Sequence, residues 1–522
     1  MKTLFVTVIL LLVFSNARSQ AGTLDSSFGN NGIVYCETQY DYEHAPLHSI
    51  MDAQGRILTV SRADNDSGFF LIRHLITGLR DTSFGSNGQV LVNAGHISYD
   101  AILFIQGDSS ILVASTIQHL PDTNWNLSEL SILRLLPDGS PDISFGNQGT
   151  TIIDFDQGEW VGGIAVQQDG KMIVSGRTGW SIWGGGNTDP VLIRLLANGM
   201  PDSSFGIAGT MVTALSPSFS NGGPVAILPD GKILQTVSGS TLALLRFESN
   251  GTPDTSFGND GIHVDSIVPS PIGISDMALL EDHSFLTAGV EGDCFGGLCP
   301  YGALRKFIPN GFADAAFADQ GLAAINGESF EGAALYSIKI QSDNKIIATG
   351  IKSHELLLAR FTPEGIPDSA YAKEGISVIA EINDWGWKPV EVYLYPDDKV
   401  TVVGMVYNPY NQEIDSSKVF IARFHNVGDN TATNDPNANP HVVSVYPNPS
   451  NDYITFDLSK AALSHSEIFI YNSGGILLKR VSALYSAQLR IPVDEIGSDG
   501  MYFYTMRTND QPFLAGKFII QR

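Results

Sequence analysis

A chain of 522 residues with 55 acidic and 30 basic side chains carries a formal charge of −25. That charge repels phosphate backbones and anionic lipid surfaces, so the composition speaks against nucleic acid as a partner. Only 16% of residues are charged while glycine numbers 53, which suits short strands and tight turns better than helices.

In chain order, Lys2, the apolar run Leu4 to Phe14 and Ala17-Arg18-Ser19 have the charged, hydrophobic and small-residue regions of a secretory leader. Residues 1–19 are assigned to it and the mature chain to Gln20 onward. The run is too short to cross a bilayer, and no other stretch approaches about 18 apolar residues, so no membrane span is expected.

One loop then recurs seven times with the pattern Asp-x-Ser-Phe-Gly-x-x-Gly, clearest at Asp142-Ile143-Ser144-Phe145-Gly146-Asn147-Gln148-Gly149. Its aromatic falls at Phe28, Phe84, Phe145, Phe205, Phe257, Phe317 and Tyr371, a spacing of about 57 residues. Each unit reads as four strands, A to D. In the third, A is Gly163 to Gln168, B is Lys171 to Gly176, C is Val191 to Leu196, and D runs from Gly209 through Val212. The turn Asp169-Gly170 between A and B is a hairpin signal, because glycine accepts positive φ. Four antiparallel strands at this period describe a propeller blade.

Strand C carries an arginine in every unit: Arg73, Arg134, Arg194, Arg246, Arg305, Arg360 and Arg423. In the first six units an aspartate follows eight or nine residues later, at Asp81, Asp142, Asp202, Asp254, Asp314 and Asp368. Arg423 has none, but the chain opens with an orphan loop, Asp25-Ser26-Ser27-Phe28, and an orphan strand, Gly32 to Glu37. Joining the ends repairs both. The expected fold is therefore all-β: a seven-bladed β-propeller over residues 20–425 with the N-terminal strand closing the last blade, leaving no open edge. A pair repeated in every blade reads as a structural device, a buried arginine fork on an aspartate. The motif phenylalanines are expected to pack between blades.

These units, with an Asp-Gly-Lys turn, an arginine in strand C and Asp-x-Ser-Phe-Gly, resemble the delta-60 repeat proteins, bacterial secreted propellers that bring no established activity with them. Residues 426–440, almost without apolar side chains, read as a flexible linker. Residues 441–522 read as a small β-sandwich with alternating runs at Tyr453 to Leu458, Glu467 to Tyr471 and Met501 to Met506. Val445-Tyr446-Pro447-Asn448-Pro449, Gly500-Met501-Tyr502-Phe503-Tyr504 and the basic end at Lys517 to Arg522 resemble the C-terminal sorting domain of the type IX secretion system. The resemblance implies the secretion machinery as a partner, export across the outer membrane, and release or attachment at the cell surface.

The face carrying the B-to-C and D-to-A connections varies in length from unit to unit and holds all six tryptophans. Trp125, Trp180 and Trp183 fall in B-to-C loops, and Trp160, Trp385 and Trp387 in D-to-A connections. With Asn187 and Asp189 nearby they form a candidate ligand-binding surface for a glycan or a surface protein; the alternative is that they plug the blade tops. Cys294 and Cys299 are expected to form a disulfide in an oxidising compartment. Three thiols without paired histidines make no metal site, and no cofactor motif is present. His44, His119 and Glu159 could serve a polysaccharide lyase or hydrolase, but no nucleophile or metal motif accompanies them. Binding without catalysis is thus the expected activity, with such an enzyme or a passive adhesive scaffold as alternatives.

Overall fold

The structure is a computed structural model. It describes residues 21–36, 46–62, 68–93 except 76, 96–119, 128–155, 158–179, 188–215, 219–265 except 240, 271–292, 301–326, 332–379 except 373, 386–395, 399–407, 417–426, 444–446, 450–457, 466–472, 477–483, 488–508 except 499, and 511–520. The chain divides into two compact units, Met1–Asp429 and Asn430–Arg522.

The first unit contains seven four-stranded antiparallel sheets. Six are built from consecutive strands. The seventh takes Gly386–Leu394, Lys399–Tyr407 and Ser417–His425 from the end of the unit and Ile33–Cys36 from its beginning. Ile33 pairs with Ala422 and Cys36 with Val419, so the orphan N-terminal strand is the outermost strand of the last blade. The first strands touch one another in ring order, and Pro46–Met51 meets Gly386–Leu394 to close the circle.

Blade three shows how local sequence sets the elements. Its strands are Glu159–Val166, Met172–Thr178, Asp189–Leu195 and Thr210–Val212. The first begins four residues before its expected start. A register shift between Val161 and Gly163 interrupts the pairing, and Gly162-Gly163 at that point hide the strand's alternation in the sequence.

The repeat motif couples each blade to the next. Arg134 Nε donates to Asp142 Oδ2 at 2.7 Å, and its guanidinium carbon lies 4.7 Å above the Phe145 ring. The same arginine reaches into blade three, where Nη1 donates to the Ala197 carbonyl at 2.6 Å. Gly146 N–H donates to the Asn198 carbonyl of the same turn at 2.7 Å. Gly199 completes that turn with φ +85°, and a Cβ there would lie 2.8 Å from Phe145 Cε2. Glycine is needed at this position for its conformation and its space alike. Arg73 with Asp81 and Phe84, Arg194 with Asp202 and Phe205, and Arg246 with Asp254 and Phe257 repeat the arrangement. Arg360 completes it with Asp368 and Tyr371, and Arg423 with Asp25 and Phe28.

Blade five departs from the expected pattern. Arg305 turns away from Asp314 and forks onto Glu291 at 2.6 and 3.0 Å, while Lys306 takes Asp314 at 3.0 Å. The backbone explains the exchange. Lys306 N–H donates to the Gly321 carbonyl, the bond that Arg134 makes to Gly149 and Arg194 to Gly209. Lys306 therefore occupies the repeat position, and Arg305, one residue earlier on a strand, points to the opposite side.

In the second unit, Ser444–Tyr446, Tyr453–Asp457 and Gln488–Pro492 form one sheet. Ser466–Asn472, Leu477–Ala483, Gly500–Thr508 and Gln511–Ile520 form another. Ile454, Phe456 and Ile491 of the first share one core with Ile468, Ile470, Tyr504 and Phe518 of the second. Phe456 meets Tyr504 edge-on at 4.9 Å. Among the described residues of the chain, no helix is long and apolar enough to cross a membrane.

Candidate functional site

In a propeller the first strands surround a central channel. Here that channel is lined with charge at two levels. The second strands give the measure: Val60, Ala288, Thr349 and Val403 each stand four residues past the equivalent position after the first hairpin turn, Arg56, Ser284, Lys345 and Lys399. Opposite them on the first strands lie His48, Asp276, Ser337 and Glu391, one level of four blades.

At this inner level Lys339 contacts Glu391 and lies 3.6 Å from Asp276 Oδ2. Ser337 Oγ donates to Glu391 Oε1 at 2.5 Å. Burial alone would lower the Lys339 pKa, but the two carboxylates outweigh it and hold the ammonium charged. Burial raises the pKa of Glu391, with Lys339 opposing. Burial also pushes His48 down to about 4, with Asp276 raising it and Lys339 lowering it, so the imidazole is neutral at pH 7. His48 belongs to blade one, Asp276 to blade five and Lys339 to blade six, so these influences act across the channel. His48 Nδ1 accepts from the Leu103 N–H at 3.3 Å, and Tyr393 and Ser49 share a hydrogen bond of 2.6 Å.

The outer level lies toward the variable face. Arg177 and Met405 stand six residues past Lys171 and Lys399, opposite Trp160 and Lys388 on the first strands. Arg177 lies 5.1 Å over the Trp160 ring. Burial raises the pKa of Asp100, and Arg177 and Lys388 pull it back. Burial lowers both Arg177 and Lys388, and in each case Asp100 is the opposing charge. Lys388 is exposed to solvent although protein surrounds it, as expected for the wall of a concave channel.

The tryptophans divide. Trp160 and Trp387 belong to first strands, not to connections. Trp387 is 1% exposed and meets Phe420 edge-on at 4.8 Å, so it fills the core of the last blade and leaves the ligand-binding set. Trp160 is half-buried at the channel mouth. Asp189 opens the third strand of its blade and accepts from the Leu215 N–H at 3.2 Å, a structural tie. Trp125, Trp180, Trp183, Asn187 and Trp385 lie outside the described residues, as do Cys294, Cys299 and His44. Glu159 is 0% exposed and accepts from the Phe155 N–H at 3.2 Å, so it is not presented on a face. Sequence reasoning missed the channel groups, because a charge inside a strand gains meaning only when the ring brings blades one, five, six and seven together. Among the described residues, no group of three or more His, Cys, Asp or Glu could hold a metal ion.

Residues 167–205 and 228–257 match a β-propeller domain of unknown function, DUF5122, and residues 444–521 match the secretion system C-terminal sorting domain. The chain thus carries DUF5122 propeller repeats within its first unit and a type IX sorting domain in its second. The sorting domain marks the chain for export to the cell surface or the extracellular space. No curated protein matches its sequence. Among solved structures it is similar to PorZ, a surface component of the type IX secretion system of Porphyromonas gingivalis, at 13% identity and TM-score 0.33. That match covers 93% of this chain, which spans 61% of the PorZ chain. It is also similar to a protein of unknown function from Dyadobacter fermentans, at 13% identity over 75% of this chain and 99% of that one, with TM-score 0.39. A PL25 ulvan lyase matches at 8% identity over 75% of this chain and 96% of the other, with TM-score 0.44. Matches this distant transfer no activity.

Proposed function

We propose that the exported propeller is a binding protein whose ligand is a glycan, engaged on the variable face and at the channel mouth beneath it. One observation carries the reading: Lys388 of blade seven stands at the height of Trp160 of blade three on the first strands, and the Arg177 guanidinium lies 5.1 Å over the Trp160 ring, so cations and an aromatic gather at one end of a closed ring. Charged and aromatic side chains converging in a concavity are the equipment of a ligand site. Trp125, Trp180, Trp183 and Asn187 belong to, and Trp385 adjoins, sequence leading to the same face, and would widen the contact area.

The test is a glycan array probed with the purified full chain, beside the Trp180→Ala/Trp183→Ala double variant after both are shown to be folded. A hit that the double variant loses supports the reading and its site. No hit with either protein overturns it, and points to a protein partner or a passive surface scaffold.

A further inference from the structure

We infer that the junction of blades five and six holds a guanidinium-binding pocket, a site for an arginine side chain or a small guanidinium compound brought from outside the chain. The pocket lies at the end of the ring that carries the first hairpin turns, opposite the variable face, and does not depend on the glycan reading.

The other blades show what fits such a junction. Arg73 Nη1 donates to the Pro137 carbonyl of the next blade at 2.7 Å, and Arg134 Nη1 to the Ala197 carbonyl at 2.6 Å. Arg194 and Arg246 reach the carbonyls of Ser249 and Pro309 in the same way. The motif aspartate also takes a second cation, from the residue that follows the first hairpin turn. Lys171 lies 3.3 Å from Asp202, Lys232 2.8 Å from Asp254 and Lys345 3.3 Å from Asp368.

Blade five alone shortens both side chains. Lys306 stands where the other six blades have arginine, and Ser284 where five blades have lysine or arginine; blade two has Ser110 at that second position but keeps Arg134. Pro363 stands two residues before Gly365, as Pro137 stands before Gly139 and Ala197 before Gly199, so its carbonyl is the acceptor that an arginine in blade five would reach. Between Lys306 and Pro363 lies a cavity of about 270 Å³, lined also by Glu281, Asp282, Leu286 and Ile346. That is far more than the roughly 15 Å³ a single water needs.

The cavity keeps its acceptors. Among the described residues the Pro363 carbonyl accepts no hydrogen bond and the exposed Glu281 carboxylate has no partner. Asp282 is tied to the Ser284 amide at 3.0 Å, and the Lys306 ammonium is held by Asp314 at 3.0 Å. Leu286 and Ile346, 0% and 1% exposed, give the cavity an apolar floor. An anion would meet Glu281 and Asp282. A compact, strongly hydrated ammonium would leave the floor uncovered, whereas a guanidinium offers several N–H donors at its rim and a weakly hydrated flat face.

The experiment is titration calorimetry of the full chain with N-acetyl-arginine amide, its lysine counterpart, and its citrulline counterpart, which keeps arginine's shape without the charge. The arginine compound should bind about tenfold or more tightly than either, weakening as salt rises. Lys306→Arg, which puts the chain's own guanidinium into the cavity, should cost about tenfold or more, and Lys306→Ala, which widens the cavity and frees Asp314, should gain. Glu281→Gln should weaken binding while leaving the thermal midpoint unchanged. Methylguanidinium and a glycine-flanked arginine peptide separate the two sources: equal affinity supports a pocket that reads the head group alone, and tighter binding of the peptide supports a polypeptide partner. Equal binding of the arginine and citrulline compounds, or arginine binding that Lys306→Arg leaves untouched, overturns the inference. Equal binding of the lysine compound would make the cavity a general cation site and overturn the guanidinium class.

Discussion

Arg423 Nε donates to Asp25 Oδ2 at 2.9 Å across a sequence separation of 398 residues. The bond reproduces at the ring's seam what Arg134 and Asp142 do within eight residues of each other. Asp25 is the more deeply placed carboxylate, its side chain 3% exposed against 15% for Asp142, and Lys399 and His425 also lie 3.7 Å from it. Removing one partner of a buried pair costs roughly 3–5 kcal/mol because the other charge is left uncompensated. Asp25→Ala should therefore lower the urea midpoint more than Asp142→Ala. Equal losses in the two variants would show that the seam is no more dependent on its ion pair than any other blade.

Acid should open the same contacts. Burial raises the pKa of Asp25, but the Ser27 hydroxyl and amide, then Arg423 and Lys399, outweigh it and hold the carboxyl at about 2, below its ordinary 3.8. A folded-state pKa below the unfolded one means that the group's stabilisation is complete above about pH 4 and is lost as pH falls toward 2. For Asp81, Asp142, Asp202, Asp254 and Asp368 burial likewise raises the pKa, but hydrogen bonds from the residue two positions on, Ser83 in the first case, and nearby cations, Lys232 foremost for Asp254, outweigh it and leave each depressed. The thermal midpoint should be flat above about pH 5 and fall steeply below about 4. Asp25→Asn should shrink that fall, and a midpoint insensitive to pH between 6 and 3 would contradict the linkage.

The sequence revealed the ring more fully than the site, and particular residues show why. Seven aromatics at a near-constant interval, and an orphan Asp25 matched to an unpartnered Arg423, are local signals that need only counting. Arg305 shows where counting stops. It fits the spacing, but the backbone places Lys306 in the repeat position, and the strand's alternation sends the neighbouring Arg305 to Glu291. Trp387 is a second limit, since an indole near a loop reads as exposed until its strand is seen to carry it against Phe420. The channel is the third. His48 and Asp276 influence each other only because blades one and five face across the ring, a relation that no window of sequence contains.

Tyr371 stands where five blades have phenylalanine stacked under the repeat arginine, and its ring keeps the 4.5 Å contact with Arg360. Its hydroxyl is fully buried and finds no hydrogen-bond partner among the described residues. An unsatisfied buried polar group costs about 1–3 kcal/mol, so Tyr371→Phe should raise stability by about 1 kcal/mol while leaving the stacking intact. Differential calorimetry decides it. A lower thermal midpoint in the variant would mean that the hydroxyl has a partner after all.

The blade-five exception supplies a test of the repeat itself. Phe317 is 1% exposed, and a Cβ on Gly365 of the next blade would lie 2.6 Å from its Cζ, so the ring and its socket are in place. Ala318 N–H already donates to the Glu364 carbonyl of that turn at 2.7 Å. What is missing is the guanidinium, because Lys306 Nζ makes one contact to Asp314 and cannot fork. Lys306→Arg should restore the stack over Phe317 and reach toward the next blade, adding about 0.5–1 kcal/mol. Its ordinary counterpart, Arg246→Lys in blade four, should lose a stack of 4.4 Å and a bond to the Pro309 carbonyl, and so destabilise. Opposite changes in the unfolding midpoints of these two variants would establish that the arginine, rather than a positive charge alone, joins blade to blade; a matching loss in both would place the effect in blade five's own packing.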